Sequence, residues 1–236
     1  MEALRLIHGL WNDLLSVIFP RVCEVCGRQL VDGEELICTY CNASMPRTNY
    51  HVSDFNPVHH RLATSACVDK ASSWFEYRRT SPYVELILKA KYYDRPDIAR
   101  DMGRIYSREI FRSGFFDGID IILPVPMHHF KQLKRGYNQA EEIAAGISRT
   151  TRIPIGDNLR TLHGHSTQTR RGAFERYLNV AGLFGVANPA ELAGHHVLLV
   201  DDVLTTGSTL SSCCDALRKA VPDIRISVLT LAATTR

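Results

Sequence analysis

The segment from His196 to Leu210 limits the possible folds of this chain more than any other part of the sequence. A run of apolar residues, 197–200, ends in Asp201 and Asp202, and small or hydroxyl residues then lead into a segment with helical spacing. A short, continuous apolar run bounded in this way is typical of a buried strand in a parallel sheet. The pattern therefore predicts a strand, a tight loop and a helix in immediate succession.

The predicted loop has the composition of a phosphate-binding segment. Thr205, Thr206, Ser208 and Thr209 surround Gly207. A helix N-terminus offers unpaired N–H groups and the positive end of the helix dipole, the hydroxyl groups add donors, and glycine lets the backbone approach a ligand closely. We call residues 205–209 the phosphate loop. A Walker-type nucleotide site is disfavoured because G-x-x-x-x-G-K-[ST] occurs nowhere in the chain.

The two acids before the loop indicate that phosphate is only part of the ligand, because carboxylates repel phosphate. Asp201 and Asp202, called the acid pair below, suit the vicinal hydroxyls of a sugar as acceptors. The sequence thus predicts a sugar phosphate, with its ribose over the acid pair and its 5′-phosphate in the loop. In the alternative, the acids only end a strand and the hydroxyls only cap a helix, as at any strand–helix junction.

The chain from Ala63 onward alternates short apolar runs with helical segments, which is the pattern of a parallel α/β sheet. Strands are predicted at 66–77 (strand or hairpin), 119–123, 197–200 and 224–231. Helices are predicted to begin at Ser81 and near Asp94, and to cover 138–149 and 208–220.

Four of the seven cysteines form two close pairs near the N-terminus, Cys23 with Cys26 and Cys38 with Cys41. Each pair has the C-x2-C spacing of a metal knuckle, and Gly27 supplies the turn after the first pair. Four thiolates suit tetrahedral zinc and leave no open position for catalysis. The sequence therefore predicts a structural Zn²⁺ site, and the remaining cysteines are interpreted as small buried residues.

The segments before and after the cysteines have simpler interpretations. Residues 1–18 have apolar residues at helical spacing and predict an amphipathic helix that packs on the rest of the chain. Residues 48–61 are polar and aperiodic and are interpreted as a linker. No apolar stretch is long enough to span a membrane, and no secretory signal is evident, so we expect a cytoplasmic protein.

The charge balance excludes little. Lys and Arg exceed Asp and Glu by 3. This mild excess permits nucleic acid as a partner without implying it.

Several segments of the sequence together resemble a known family. The run LLVDDVLTTGSTL (198–210) resembles the phosphoribosyl pyrophosphate (PRPP) signature of type I phosphoribosyltransferases. DIILPVPM (120–127), KRGYNQA (134–140) and the later residues Gln168, Arg176, Asn179 and Phe184 look like the ComF family of competence-associated proteins. With the cysteine pairs, the resemblance covers nearly the whole chain. It implies an α/β type I phosphoribosyltransferase domain over 63–236 and a zinc module over 1–47.

The resemblance also implies site residues. Val203 and Leu204 would join the phosphate loop in binding PRPP. A second anion site would follow the strand ending at Leu123 and hold the pyrophosphate of PRPP. The residues implied for this pyrophosphate loop and for a lid over it are Val125, Pro126, Met127, Lys134, Arg135, Arg160 and Arg176.

The expected activity is transfer of the 5-phosphoribosyl group from PRPP to an acceptor that the sequence does not identify. Because C1 of the ribose gains positive charge as pyrophosphate leaves, Asp201 and Asp202 would act as catalytic residues. Mg²⁺ and the basic residues would balance the negative leaving group.

Two other functions remain open. One is a non-catalytic PRPP- or nucleotide-binding protein that contacts single-stranded DNA or a DNA-uptake helicase through the zinc module. The other is a zinc-ribbon nucleic-acid binder with an α/β scaffold, which the intact phosphate loop argues against.

Overall fold

The computed structural model describes residues 20–53, 55–63, 68–127, 132–133, 135–162 and 183–234. The chain divides into two compact units, Met1–Met45 and Pro46–Arg236. The helix predicted for residues 1–18 lies outside the described residues. No helix within the described ranges combines the length and apolar character needed to cross a bilayer.

The helices and strands are named here in chain order. The first unit contains α1 (Thr39–Ser44). The second unit contains α2 (Pro57–Ala63), β1 (Ala71–Glu76), α3 (Val84–Tyr92), α4 (Pro96–Ile110), β2 (Ile121–Pro124), α5 (Gln139–Thr151), β3 (Leu159–Thr161), β4 (Phe184–Val186), β5 (His196–Leu204), α6 (Ser208–Ala220) and β6 (Arg225–Ala233).

The described part of the second unit is built on a parallel sheet with strand order β1-β6-β5-β2. Leu123 of β2 lies beside Leu199 of β5, and Asp201 of β5 lies beside Thr230 of β6. Residues 197–200 are fully buried, which explains why this strand is apolar without interruption. Since the strands are parallel, their carboxyl ends meet at one edge, where β2 delivers Pro124 and β5 delivers the acid pair. The predicted α/β fold is confirmed.

Strand β5 is longer than predicted. The sequence places its end at Val200, but pairing with β6 continues to Leu204, which lies beside Ala233. Side chains alternate between the two faces of a strand, so Asp201 and Asp202 project to opposite sides of β5. Both acids nevertheless line one cleft at the carboxyl edge of the sheet.

The interpretation of residues 48–61 as a linker is wrong. This segment contains a 3-10 turn at Tyr50–Val52 and most of α2, and it belongs to the second unit. Asn56 is 2% exposed, and its side-chain amide donates to the carbonyls of Tyr50 (3.1 Å), Ser53 (3.1 Å) and Ala71 (2.8 Å). This buried amide ties the segment to β1, and Val58 and Leu62 of α2 add the apolar contacts, too few to form a periodic pattern in the sequence.

The other predicted elements agree with the structure to within a few residues. Helix α6 covers the predicted residues, and α5 begins after Asn138, whose side chain accepts a hydrogen bond from the Ala140 amide as an N-cap. The antiparallel hairpin β3–β4 was not predicted. Its strands have only three residues each, too few to show an alternating pattern.

Candidate functional site

A cleft of about 450 Å³ opens at the carboxyl edge of the sheet. It lies among the ends of β2 and β5, the last turn of α3, the start of α5 and the hairpin β3–β4. Its lining residues, which define the main cleft, are Lys91, Val125, Pro126, Met127, Arg135, Asn138, Gln139, Ala140, Thr161, Leu162, Leu183, Phe184, Asp201, Asp202 and Thr209. Open α/β sheets bind ligands at this edge.

Both members of the acid pair line the main cleft, in different surroundings. An Asp202 carboxylate oxygen (Oδ2) lies 2.8 Å from Lys91 Nζ, and both side chains are largely buried. Asp201 Oδ1 accepts a hydrogen bond from the Asp202 amide at 2.8 Å. Burial raises the pKa of Asp201 to about 7, and the charge of Asp202 acts in the same direction. Asp202 is therefore paired with a cation, whereas Asp201 holds its proton up to near-neutral pH.

The phosphate loop forms the turn between β5 and α6. Gly207 has φ +84°, a left-handed conformation that side chains disfavour, and it precedes the first helical residue. The Thr206 and Ser208 hydroxyl oxygens lie 2.9 Å apart. Among the described residues, no backbone carbonyl accepts from the amides of Thr206 or Gly207, and the Ser208 amide donates to Thr206 Oγ1 at 3.4 Å. A concave row of unpaired amides at a helix start is the arrangement that binds phosphate.

Val203 and Leu204, also expected to bind PRPP, precede the phosphate loop. Both lie in β5, and a small depression along residues 203–210 also includes Asp201. Leu204 is 1% exposed and belongs to the core. Leu204 can therefore contribute to ligand binding only through its backbone or by packing beneath the loop, whereas Val203 is partly exposed beside it.

The predicted pyrophosphate segment meets the main cleft at the end of β2. Val125, Pro126 and Met127 all line the cleft. The Val125 amide donates to the Val200 carbonyl (2.9 Å), and the Val125 carbonyl accepts from the Asn138 side chain (3.1 Å). The peptide groups on either side of Val125 are thus bonded to β5 and to the start of α5.

The basic residues predicted around this segment separate in the structure. Arg135 lines the main cleft, donates to Gln139 (2.8 Å) and lies over the Tyr92 ring at 5.3 Å. Arg160 lies on β3, pairs with Asp157 (2.8 Å) and lines a neighbouring groove. Lys134 and Arg176 lie outside the described residues.

Sequence reasoning missed two cations near the acid pair and the phosphate loop. The sequence assigns no role to Lys91, although it does assign one to its partner Asp202. Arg61 lies in the segment interpreted as a linker, and its guanidinium donates to the carbonyl of Thr205 at 2.7 Å. Neither pairing has a local sequence signal, because each joins residues more than a hundred positions apart.

The four cysteines of the first unit are brought together as predicted. The sulfurs of Cys23, Cys26, Cys38 and Cys41 all lie within 4.8 Å of one another, and Cys26 Sγ is 3.7 Å from Cys38 Sγ. In a zinc tetrahedron with bonds of about 2.3 Å, sulfurs lie about 3.8 Å apart. The donor set and spacing fit one tetrahedral metal ion.

The protein environment of these sulfurs is also that of a metal knuckle. Burial would raise the pKa of Cys23, but hydrogen bonds from the backbone of Cys38, Cys26 and Val25 lower it to about 7. Burial and the neighbouring thiols raise the pKa of Cys41. Gly27 adopts φ +72°, which confirms its predicted place in the turn.

Comparison with known proteins identifies the family. The chain is 30% identical over 233 residues to competence protein F of Haemophilus influenzae, covering 94% of each chain. This chain belongs to the ComF family. It is also 26% identical over 208 residues to the DNA utilization protein YhgH of Escherichia coli K12 (84% of this chain, 91% of the relative). Competence protein ComFC of Bacillus subtilis is 22% identical over 225 residues (92% and 80%).

The ComF assignment agrees with the domain match. Residues 90–236 match the phosphoribosyl transferase domain. Among solved structures, the chain is similar to the glutamine PRPP amidotransferase from B. subtilis (TM-score 0.40, 18% identity, 60% of this chain and 30% of that chain). It is also similar to the adenine phosphoribosyltransferase from Leishmania tarentolae (TM-score 0.38, 11% identity, 80% and 94%).

Proposed function

We propose that this chain binds PRPP in the main cleft and transfers its 5-phosphoribosyl group to an acceptor, releasing pyrophosphate, in support of DNA uptake. The observation that carries the proposal is the succession of acid pair and phosphate loop at the carboxyl edge of the sheet, inside a phosphoribosyl transferase domain. The 5′-phosphate would bind the amides of residues 206–209, and the ribose hydroxyls would face Asp201 and Asp202.

The reaction breaks the bond between ribose C1 and the pyrophosphate oxygen, which leaves with the electron pair. A nucleophilic atom of the acceptor forms the new bond to C1 and releases its proton. Positive charge develops at C1 after the bond to pyrophosphate weakens and before the bond to the acceptor is complete. Carboxylates that interact more favourably with C1 in this transition state accelerate the transfer. Lys91, at 2.8 Å from Asp202, and Arg135 provide positive charge in the same cleft for the departing pyrophosphate.

Two metal ions belong to the proposal. The four-cysteine cluster would hold structural Zn²⁺, which joins the two knuckles of the first unit. The acid pair offers the carboxylate oxygens that Mg²⁺ prefers, and Mg²⁺ bound with PRPP would neutralise pyrophosphate charge. Asp202 would then release Lys91 and bind Mg²⁺ instead.

The DNA-uptake role is supported by the relatives, which are named as competence and DNA utilization proteins. The competing function, a non-catalytic PRPP- or nucleotide-binding protein that contacts single-stranded DNA or a helicase, uses the same cleft. The two functions differ in whether the acid pair is needed for turnover or only for binding.

The deciding experiment measures pyrophosphate release from PRPP with Mg²⁺, alone and with a panel of bases, amines and single-stranded DNA. Asp201→Asn and Asp202→Asn are expected to keep PRPP binding within about tenfold while lowering turnover by about a hundredfold or more. Asp223→Asn, which changes an exposed acid between α6 and β6, is the matched control and should retain full turnover.

Three outcomes separate the functions. Turnover that depends on the acid pair supports catalysis. PRPP binding without turnover under any acceptor supports the accessory function. The absence of PRPP binding by the unmodified protein contradicts the transferase function and leaves the accessory function only in its nucleotide-binding form.

A further inference from the structure

Arg61 connects a helix outside the matched phosphoribosyl transferase domain to the phosphate loop. It lies in the last turn of α2, and its guanidinium donates to the Thr205 carbonyl (2.7 Å), to the Thr234 hydroxyl (2.9 Å) and to the Thr234 carbonyl (2.5 Å). Thr205 and Thr234 directly follow the paired ends of β5 and β6. One side chain therefore joins the two strand ends from which the loop starts.

We propose that Arg61 is a positioning residue for phosphate binding: it fixes the orientation of the peptide that presents the Thr206 amide. A trans peptide directs its carbonyl and its N–H to opposite sides. The Thr205 carbonyl is held towards Arg61, so the Thr206 N–H points away from α2. This inference rests on the proposed function, in which that amide is the first of the donors that receive the 5′-phosphate.

The last turn of α2 also packs under the same part of the loop. A Cβ atom at Gly207 would lie 3.4 Å from Leu62 Cδ2 and 3.7 Å from the Arg61 carbonyl oxygen. Leu62 is fully buried, so the glycine rests on a packed surface. The loop is thus bonded to Arg61 at Thr205 and has α2 behind it at Gly207, which leaves its opposite side for the ligand.

Helix α2 is itself fixed in place. Asn56 accepts hydrogen bonds from the amides of Val58 (3.0 Å) and His59 (3.2 Å), while its own amide reaches Ala71 in β1. The helix start is therefore tied to the sheet, and its end carries Arg61. A rigid support of this kind lowers the ordering cost of ligand binding, since the donors are already aligned.

The planar guanidinium is needed because three acceptor atoms lie on two different strands. Lysine has a single ammonium group and cannot reach both strand ends with the same geometry, although it carries the same charge. The proposal therefore predicts that Arg61→Lys is defective. A purely electrostatic role would leave Arg61→Lys close to the unmodified protein.

The test compares Arg61→Lys and Arg61→Met with Arg79→Met, which removes an exposed arginine from the turn after β1. Binding of ribose 5-phosphate and of inorganic pyrophosphate is measured by calorimetry. Ribose 5-phosphate uses the phosphate loop, and losing one amide donor to a phosphate is expected to weaken it by about tenfold or more in both Arg61 variants. Pyrophosphate is expected at the end of β2, away from Arg61, so its affinity should change by less than about twofold.

A second measurement does not depend on the ligand. NMR relaxation of the free protein gives order parameters for the Thr206 and Gly207 amides, which are expected to fall in both Arg61 variants and to stay unchanged in Arg79→Met. Equal loss of both ligands, or unchanged order parameters and ribose 5-phosphate affinity in Arg61→Lys, overturns the positioning role. Where Arg61→Met does not fold, Arg61→Lys carries the test.

These readouts separate the inference from the proposed function. If the unmodified protein binds neither ribose 5-phosphate nor PRPP, the proposed function fails, and lower order parameters still support the role of Arg61 in ordering the loop. If the unmodified protein binds both and Arg61→Lys binds equally well, the proposed function stands and the inference about Arg61 is wrong.

Discussion

Asp201 and Asp202 show how neighbouring residues of the same type acquire different properties. Asp202 is paired with Lys91 at 2.8 Å, whereas the pKa of Asp201 is raised to about 7 by burial and by the charge of Asp202. An acid with a raised pKa favours the folded state while it is protonated. Its contribution to stability is therefore present at low pH and is lost as the pH rises from about 4, its unfolded value, to about 7.

The loss of stability with rising pH gives a prediction for Asp201→Asn in the absence of ligand. At pH 8 the variant should have a larger free energy of unfolding in urea than the unmodified protein, by up to about 4 kcal/mol, because asparagine removes a poorly solvated charge. The gain should fall to about 1 to 2 kcal/mol at pH 5, where Asp201 is neutral in the folded state but ionised in the unfolded state, and should vanish below about pH 3. Asp223→Asn serves as the control with no such pH dependence. An equal change in stability at pH 5 and pH 8 would contradict the assigned pKa.

At the scale of elements, the contact between α4 and α5 depends on two glycines. A Cβ atom at Gly146 would lie 2.0 Å from the Arg100 carbonyl oxygen, and one at Gly103 would lie 2.4 Å from the Ile143 carbonyl oxygen. Each glycine thus faces the backbone of the other helix, which cannot move aside as a flexible side chain can. Glycine, unfavourable for an isolated helix, is here required by packing.

Gly146→Ala measures which effect is larger. Helix propensity alone predicts a gain of up to about 1 kcal/mol, whereas the steric conflict predicts a loss of about 2 to 4 kcal/mol. We expect the loss, since the two helices must separate by a distance larger than core packing tolerates. Arg149→Ala, at an exposed position of α5, should stay within about 0.5 kcal/mol. The free energies of unfolding in urea of the unmodified protein and the two variants show which effect is larger. A Gly146→Ala variant more stable than the unmodified protein would refute the close packing of α4 and α5.

At the scale of the whole molecule, the chain combines an α/β unit with a large core and a first unit that ends at Met45. The described part of the first unit has one short helix and few buried apolar side chains. Domains of this size usually need a metal or disulfides to remain folded. The cysteine cluster offers this stabilisation through four ligands from two knuckles.

We predict one zinc per chain in the purified protein. Elemental analysis should give a ratio near one, and Cys41→Ala should lose the metal because three thiolates and water bind zinc less tightly. Cys214→Ala, which changes a buried cysteine of α6, is the control and should retain the metal. A folded, metal-free protein whose cysteines are oxidised would rule out the structural zinc site.

The sequence by itself determined the features that are encoded by neighbouring residues. Periodicity, turn conformation and ligand spacing are local properties, so each can be recognised within about fifteen positions of sequence. This holds for the apolar run of β5, the glycine of the phosphate loop, the residues of α6 and the two cysteine pairs. These patterns predicted the α/β fold, the edge of the sheet where the candidate site lies, and the four-cysteine cluster.

Only the tertiary structure decided which side chains meet at that edge. Lys91 reaches Asp202, and Arg61 reaches Thr205 across 144 positions of sequence. The segment containing Arg61 looked like a linker because α2 is short: it offers only the apolar pair Val58 and Leu62, and the buried Asn56 before it gives no periodic signal. Such contacts arise when parallel strands bring distant chain segments to one edge, and their energies depend on burial and distance in three dimensions, which no local pattern encodes.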